Sequence, residues 1–124
     1  MQIGIDKRLL CVVAAAGLAA CASAPTHQLG ESQATVRSAE AVGAQNYPKA
    51  AYHLELAKQQ LAAAKTLMHD GDRSEMKAAE RLLLRAQVDA ELAMQMARTE
   101  EARKDARQAW AEARELQNGG SHGR

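Results

Sequence analysis

Between residues 47 and 68, apolar side chains recur at every third or fourth position. Tyr47, Ala50, Leu54, Ala57, Leu61, Ala64 and Met68 form one seam in which larger and smaller residues take turns. That spacing predicts an amphipathic helix with a heptad face. Lys49, Lys58, Gln59 and Lys65 fall off the seam and are expected in solvent. From Met76 to Ala97 there are two stripes. Met76, Ala79, Leu83, Ala86, Ala90, Ala93 and Ala97 make one, and Leu84, Val88, Leu92 and Met96 make the other. Two stripes on one helix predict two helical neighbours. Beyond Thr99 the apolar face narrows to Ala102, Ala106, Ala109, Ala113 and Leu116, with Trp110 beside it and many charges around it. This half is expected to project past the rest or to pair with another chain. Ahead of these segments, Val36, Ala39 and Gly43 mark a thinner first seam.

Punctuation residues set the boundaries. A first helix is expected over 31–45, starting at Glu31 or Ser32. Asn46 suits an N-cap, and Pro48 is tolerated in the first turn of a second helix over 48–68. His69-Asp70-Gly71-Asp72 breaks the chain again. Gly71 suits a left-handed helix end. Asp72 followed by Glu75 has the spacing of a capping box at the head of a third helix over 73–117. Residues 21–30, with Pro25 and Gly30, read as a flexible tether, and 118–124 as a disordered tail. The expected fold is all-α over 31–117: an antiparallel three-helix bundle with an extended C-terminal helix.

The first twenty residues do not belong to that fold. Lys7 and Arg8 precede a short apolar run, Leu9 to Ala20. A charged start, a short apolar stretch and a small-residue exit describe a cleaved signal peptide over 1–20. Such a run is shorter than the ~20 residues that a spanning helix requires. Leu18, Ala19, Ala20 and Cys21 together resemble the bacterial lipobox. The resemblance implies cleavage before Cys21 and acyl chains on that residue. Acyl chains anchor at about 0.8 kcal/mol per buried CH₂. Ala22 rather than aspartate follows the cysteine, which by the same resemblance favours the periplasmic face of the outer membrane over the inner membrane. Ala22-Ser23-Ala24 offers an alternative cleavage site for an ordinary signal.

Composition narrows the function classes. Without residues 1–20, Asp6, Lys7 and Arg8 leave the count, and 14 basic residues face 14 acidic ones. No basic excess marks a nucleic-acid footprint. Phenylalanine is absent, and the aromatics are Tyr47, Tyr52 and Trp110. Alanine supplies much of the apolar content; it favours helices but buries little area, so the core must be thin. Cys11 leaves with the signal and Cys21 is expected to be acylated, so no disulfide or thiol site is assigned.

Chemistry-bearing residues are sparse. His69, Asp70 and Asp72 form the one local cluster of ligand types, and helix ending and capping account for them. His53 is expected on a rim, and His27 and His122 in the ends. No catalytic residue, cofactor or metal site is assigned, and no enzyme is expected. Met68, Met76, Met94 and Met96 suit core packing, or an adaptable surface. Trp110 is the candidate interface residue, because an indole on an exposed helix often anchors a partner. Packing on its own bundle is the competing reading.

Asn46-Tyr-Pro-Lys-Ala-Ala-Tyr-His-Leu-Glu-Leu-Ala-Lys-Gln-Gln-Leu, Asp70-Gly-Asp and Ala86-Gln-Val-Asp-Ala-Glu-Leu-Ala resemble the DUF4398 family over roughly residues 32–97. The resemblance implies a small alanine-rich helical domain of bacterial envelope lipoproteins, with no assigned activity. Helix hairpins joined at Gly-Asp also look like tetratricopeptide units. The expected role is a non-catalytic helical interaction module. It would be held in the bilayer by acylated Cys21 and would bind an envelope protein or a second copy through the C-terminal helix. The alternative is an oligomerising spacer like the major murein lipoprotein, which ends in a lysine where this chain ends Gly123-Arg124.

Overall fold

The structure, a computed structural model, describes residues 25–120. Three helices account for most of them: α1 (Thr26–Ala41), α2 (Pro48–Asp70) and α3 (Arg73–Gly120), with a short 3₁₀ turn at Ala44–Asn46. The expected all-α class holds over these residues. The signal segment and its lipobox lie outside them.

α1 differs most from expectation. It starts at Thr26 and ends at Ala41, so Thr26 to Gly30, expected in the tether, is helical, and Ser32 lies inside the helix rather than at its start. The segment is polar, and its hydroxyls fold back on the backbone. Ser32, Thr35 and Ser38 donate to the carbonyls of Gln28, Glu31 and Ala34 at 2.8, 3.0 and 2.9 Å. Such bonds hide the polarity of short hydroxyl side chains within a helix.

The first break is made by Gly43, which was expected on the α1 seam. Its φ of 74° is left-handed, a conformation that costs glycine nothing. A Cβ there would also meet Asn46 Nδ2 at 2.9 Å. Asn46 is not the N-cap of α2. It ends the 3₁₀ turn, and extended Tyr47 occupies the cap position with no side-chain cap bond. Pro48 stands in the first turn as expected.

At the second break, Gly71 is extended (φ −77°, ψ 146°) and not left-handed. Space is what requires glycine, because a Cβ would lie 2.0 Å from the Leu67 carbonyl oxygen. The capping box forms as the spacing predicts. Asp72 Oδ1 accepts from the amides of Ser74 and Glu75 at 2.7 and 3.0 Å, and Glu75 Oε2 accepts from the Asp72 amide at 2.8 Å. α2 ends two residues later than expected, at Asp70. α3 continues to Gly120, through Asn118 to Gly120 of the expected tail.

Contacts fix the directions. Gln28 and Ser32 of α1 meet Glu80 and Leu83 of α3, so α1 and α3 run parallel. Tyr47, just ahead of α2, meets Glu101, and His53 of α2 meets Asp89, so α2 runs against α3. The core lies along one face of α3. Ala79, Leu83, Ala86, Ala90, Ala93 and Ala97 are buried there, opposite Leu54, Ala57, Leu61 and Ala64 of α2 and Val36 and Ala39 of α1. Small side chains let the backbones close in. Ser32 Oγ lies 2.9 Å from the Leu83 carbonyl oxygen, a side-chain bridge to a neighbouring helix backbone.

α3 has the two neighbours expected, but that closeness overturns the division of its stripes between them. α1 and α2 both pack beside the alanine stripe, and the second stripe is left out. Leu84, Val88 and Leu92 are 49%, 63% and 39% exposed, and only Met96 of that set is packed against the core.

Candidate interaction surface

α3 outruns its partners. Its 48 residues span about 70 Å at 1.5 Å per residue. The Tyr47 hydroxyl bonds Glu101 at the end of the packed stretch, and every residue from 101 to 119 is exposed. This arm exists because the helix is nucleated in the bundle and simply continues; a free helix of its length would be marginal. Within it, Arg103 bonds Glu100 at 2.7 Å and Lys104 approaches Glu101 at 3.6 Å, each one turn away.

Trp110 stands on this arm, 69% exposed, so the reading that packs it on its own bundle fails. Arg107, Ala111 and Arg114 line a shallow depression with it. A larger groove, about 620 Å³, lies at the foot of the arm between the start of α2 and α3. Tyr47, Pro48 and Ala50 line one side of it, and Leu92, Met96, Thr99 and Arg103 the other. The bond to Glu101 holds the Tyr47 phenol above its ordinary range. The same bond, helped by Lys104, holds the Glu101 carboxyl below its own.

One polar cluster was not anticipated. His53 Nδ1 lies 3.0 Å from Asp89 Oδ1, and Gln60 Nε2 donates to Asp89 Oδ2 at 2.9 Å. Asp89 thus ties two turns of α2 to α3 from a partly buried position. Residues 53, 60 and 89 carry no spacing signal, since they meet only when α2 folds back on α3. Tyr52 stacks edge-on against His53, with ring centroids 5.3 Å apart. Of the His69–Asp72 cluster, Asp72 spends its carboxylate on backbone amides. Among the described residues, no three His, Cys, Asp or Glu come together as a metal site. None of the helices described is long and apolar enough to cross a membrane. Cys21 and the rest of the lipobox, Leu18, Ala19 and Ala20, lie outside the described residues.

The helices and their breaks coincide with a known sequence family. The profile of a domain of unknown function, DUF4398, matches residues 27–109. The chain belongs to the DUF4398 family. No curated protein and no solved structure matches it. The DUF4398 match takes in α1 nearly from its start, both breaks, α2 and the bundle portion of α3. It is wider at both ends than the stretch 32–97 that carries the motifs. It stops at Ala109, so Trp110 stands just beyond the matched region. The family description assigns no chemistry.

Proposed function

We propose that this DUF4398 chain is a lipid-anchored, non-catalytic interaction module of the bacterial envelope, held at the periplasmic face of the outer membrane by acylated Cys21. The signal peptide over 1–20 is removed in this reading, and the lipobox Leu18 to Cys21 supports it. The observation that carries the interaction role is the parallel course of α1 and α3. Thr26 lies at the end of the bundle where α3 begins, and the arm leaves from the opposite end. A chain anchored just ahead of α1 therefore presents Arg107, Trp110 and Arg114 on the side away from the membrane. Only residues 22–25 separate Cys21 from α1, a reach of at most about 18 Å. The bundle then sits close to the bilayer, and the arm rather than a long tether provides the distance.

The converging polar groups support a non-catalytic role. Asp89, His53 and Gln60 are spent on joining α2 to α3, and the hollows described are open to solvent. Catalysis needs a water-excluding pocket. Replacing Cys21 with alanine tests the anchor. The variant is expected to lose acyl label and membrane association and to accumulate as precursor. Normal fractionation with a labelled acyl mass would remove the lipoprotein reading. Site-directed cross-linking from position 110 in cells tests the interaction role, with a discrete adduct expected.

A further inference from the structure

Beyond the start of α2, the side of α3 along which α2 lies runs on uncovered along the arm. On a helix of 3.6 residues per turn, positions eighteen apart repeat after five turns and share one face. Asp89 joins α3 to α2 through His53 and Gln60, and Arg107 repeats its position on the arm. Leu92 and Met96 line the groove beside the start of α2, and Trp110 and Arg114 repeat theirs. Arg103 lines that groove itself. The groove and this flank of the arm therefore form one strip, about 33 Å long from Leu92 to Arg114, and its arm residues are all exposed.

Charge along the strip is one-sided. Arg103, Arg107 and Arg114 stand on it around Trp110. Glu100, the carboxylate at the groove, is bonded to Arg103 at 2.7 Å. Among the described residues, Arg107 and Arg114 have no anionic partner. The other carboxylates of the arm lie off the strip. Glu112 repeats the position of Met94, which lines a hollow beside α1, and Asp105 lies two turns before Glu112 on the same side. Glu101 is bonded to Tyr47, and Glu115 repeats Ala97 of the core stripe.

We propose that this strip takes an acidic, amphipathic segment of a partner protein. Its apolar side chains enter the groove against Pro48, Ala50, Leu92 and Met96, and its carboxylates meet Arg107 and Arg114 on either side of Trp110. Arg107 and Arg114, three residues before and four after the indole, share a helix face with it. Each free guanidinium offers a carboxylate a bidentate fork. Apolar side chains at one end and carboxylates at the other describe a polypeptide rather than a simple polyanion. The strip is also narrow, one helix wide, whereas a bilayer is a plane and in the reading above lies at the opposite end of the bundle. The proposal rests on the reading of the arm as an association element and gives the chemistry of what it meets.

Arg107→Glu/Arg114→Glu tests it, beside Asp105→Asn/Glu112→Gln on the opposite side of the arm. All four positions are exposed, and unchanged circular dichroism melts check that the bundle is intact. In cells, an aromatic photo-cross-linker at position 110 of the full chain is expected to give an adduct whose partner peptide, mapped by mass spectrometry, carries a run of Asp or Glu. The arginine variant is expected to lower its yield at least ten-fold and the carboxylate variant to leave it unchanged. In neutral detergent, Trp110, the single tryptophan, reports binding by its fluorescence. Poly-L-glutamate is expected to shift its emission saturably, at least ten-fold more weakly in the arginine variant, and poly-L-lysine to leave it unmoved. An adduct that survives the arginine variant, or that maps to a segment without carboxylates, overturns the acidic partner and leaves the interaction module standing. Adducts to phospholipid, with emission that shifts on phosphatidylglycerol vesicles and not on poly-L-glutamate, assign the strip to a membrane and overturn it as well. No adduct at position 110 overturns both the acidic partner and the interaction module.

Discussion

The Tyr47 hydroxyl donates to the Glu101 carboxylate, and this bond closes the bundle. Tyr47 is the last residue before α2, and Glu101 is the first of the wholly exposed arm residues of α3. The pair marks the place where packed helix becomes solvated helix. It needs a protonated phenol and an ionised carboxyl together.

That requirement has a pH signature. The Glu101 pKa lies below its ordinary 4.5, so the stability it adds is present above 4.5 and is lost as pH falls through the lowered value. The Tyr47 pKa lies above its ordinary 10.0, so its contribution is present below 10.0 and is lost as pH rises through the raised value. Tyr47→Phe is therefore expected to melt below wild type between those limits and to converge with it outside them. Thermal melts of both proteins at acid, neutral and alkaline pH measure this. A gap that does not change with pH would separate the bond from stability.

Two glycines are expected to respond in opposite directions. Gly30 lies inside α1 with open space where a Cβ would go, so Gly30→Ala is expected to stabilise by about 0.5–1 kcal/mol. Gly43 is left-handed and close to Asn46, so Gly43→Ala is expected to destabilise by roughly 1–3 kcal/mol. Urea unfolding of the two variants reads both. A neutral Gly30→Ala would put residue 30 back in a tether.

Leu54 and Lys58 lie one turn apart on α2 and differ in burial. Leu54 is 2% exposed, and Leu54→Asp would bury an unpaired charge at a cost of several kcal/mol, enough to unfold a thin core. Lys58 pairs with Glu40 at 2.6 Å on the surface. Lys58→Asp is expected to cost about 1 kcal/mol or less. Equal melting temperatures for the two variants would mean that the seam is misplaced.

Ending the chain after Lys104 removes most of the arm and keeps the Tyr47–Glu101 bond. The shortened protein is expected to retain a cooperative melt within a few degrees of the full chain, since residues 105 to 119 are all exposed. Circular dichroism melting decides. Loss of cooperativity would make the arm part of the folding unit.

Much of this architecture can be read from local pattern. The seam Leu54-Ala57-Leu61-Ala64, the stripe Ala79 to Ala97, the Asp72–Glu75 cap and the solvated arm each follow from spacing within a few turns of one helix, because a helix brings residues three and four apart onto one face whatever surrounds it. α1 was harder. Its residues are polar, its Gly30 suggests a loop, and its hydroxyl bonds to backbone leave no periodic signal. Gly71 marks a break in the sequence pattern and in the structure, whereas Gly43, expected within the α1 seam, makes the first break. Which of them takes the left-handed conformation depended on the turn that joins particular helices.

Other features were decided only by how the helices meet. His53 and Asp89 are 36 residues apart in the chain and touch because α2 folds back on α3. Ser32 is buried because its hydroxyl reaches a carbonyl on α3. The sequence by itself determined that α3 carries two apolar stripes; the tertiary structure decided that one is core and the other surface. The reason is size. An alanine face lets both neighbours approach until they share it, so the larger side chains of Leu84, Val88 and Leu92 have no third helix to cover them and remain on the outside.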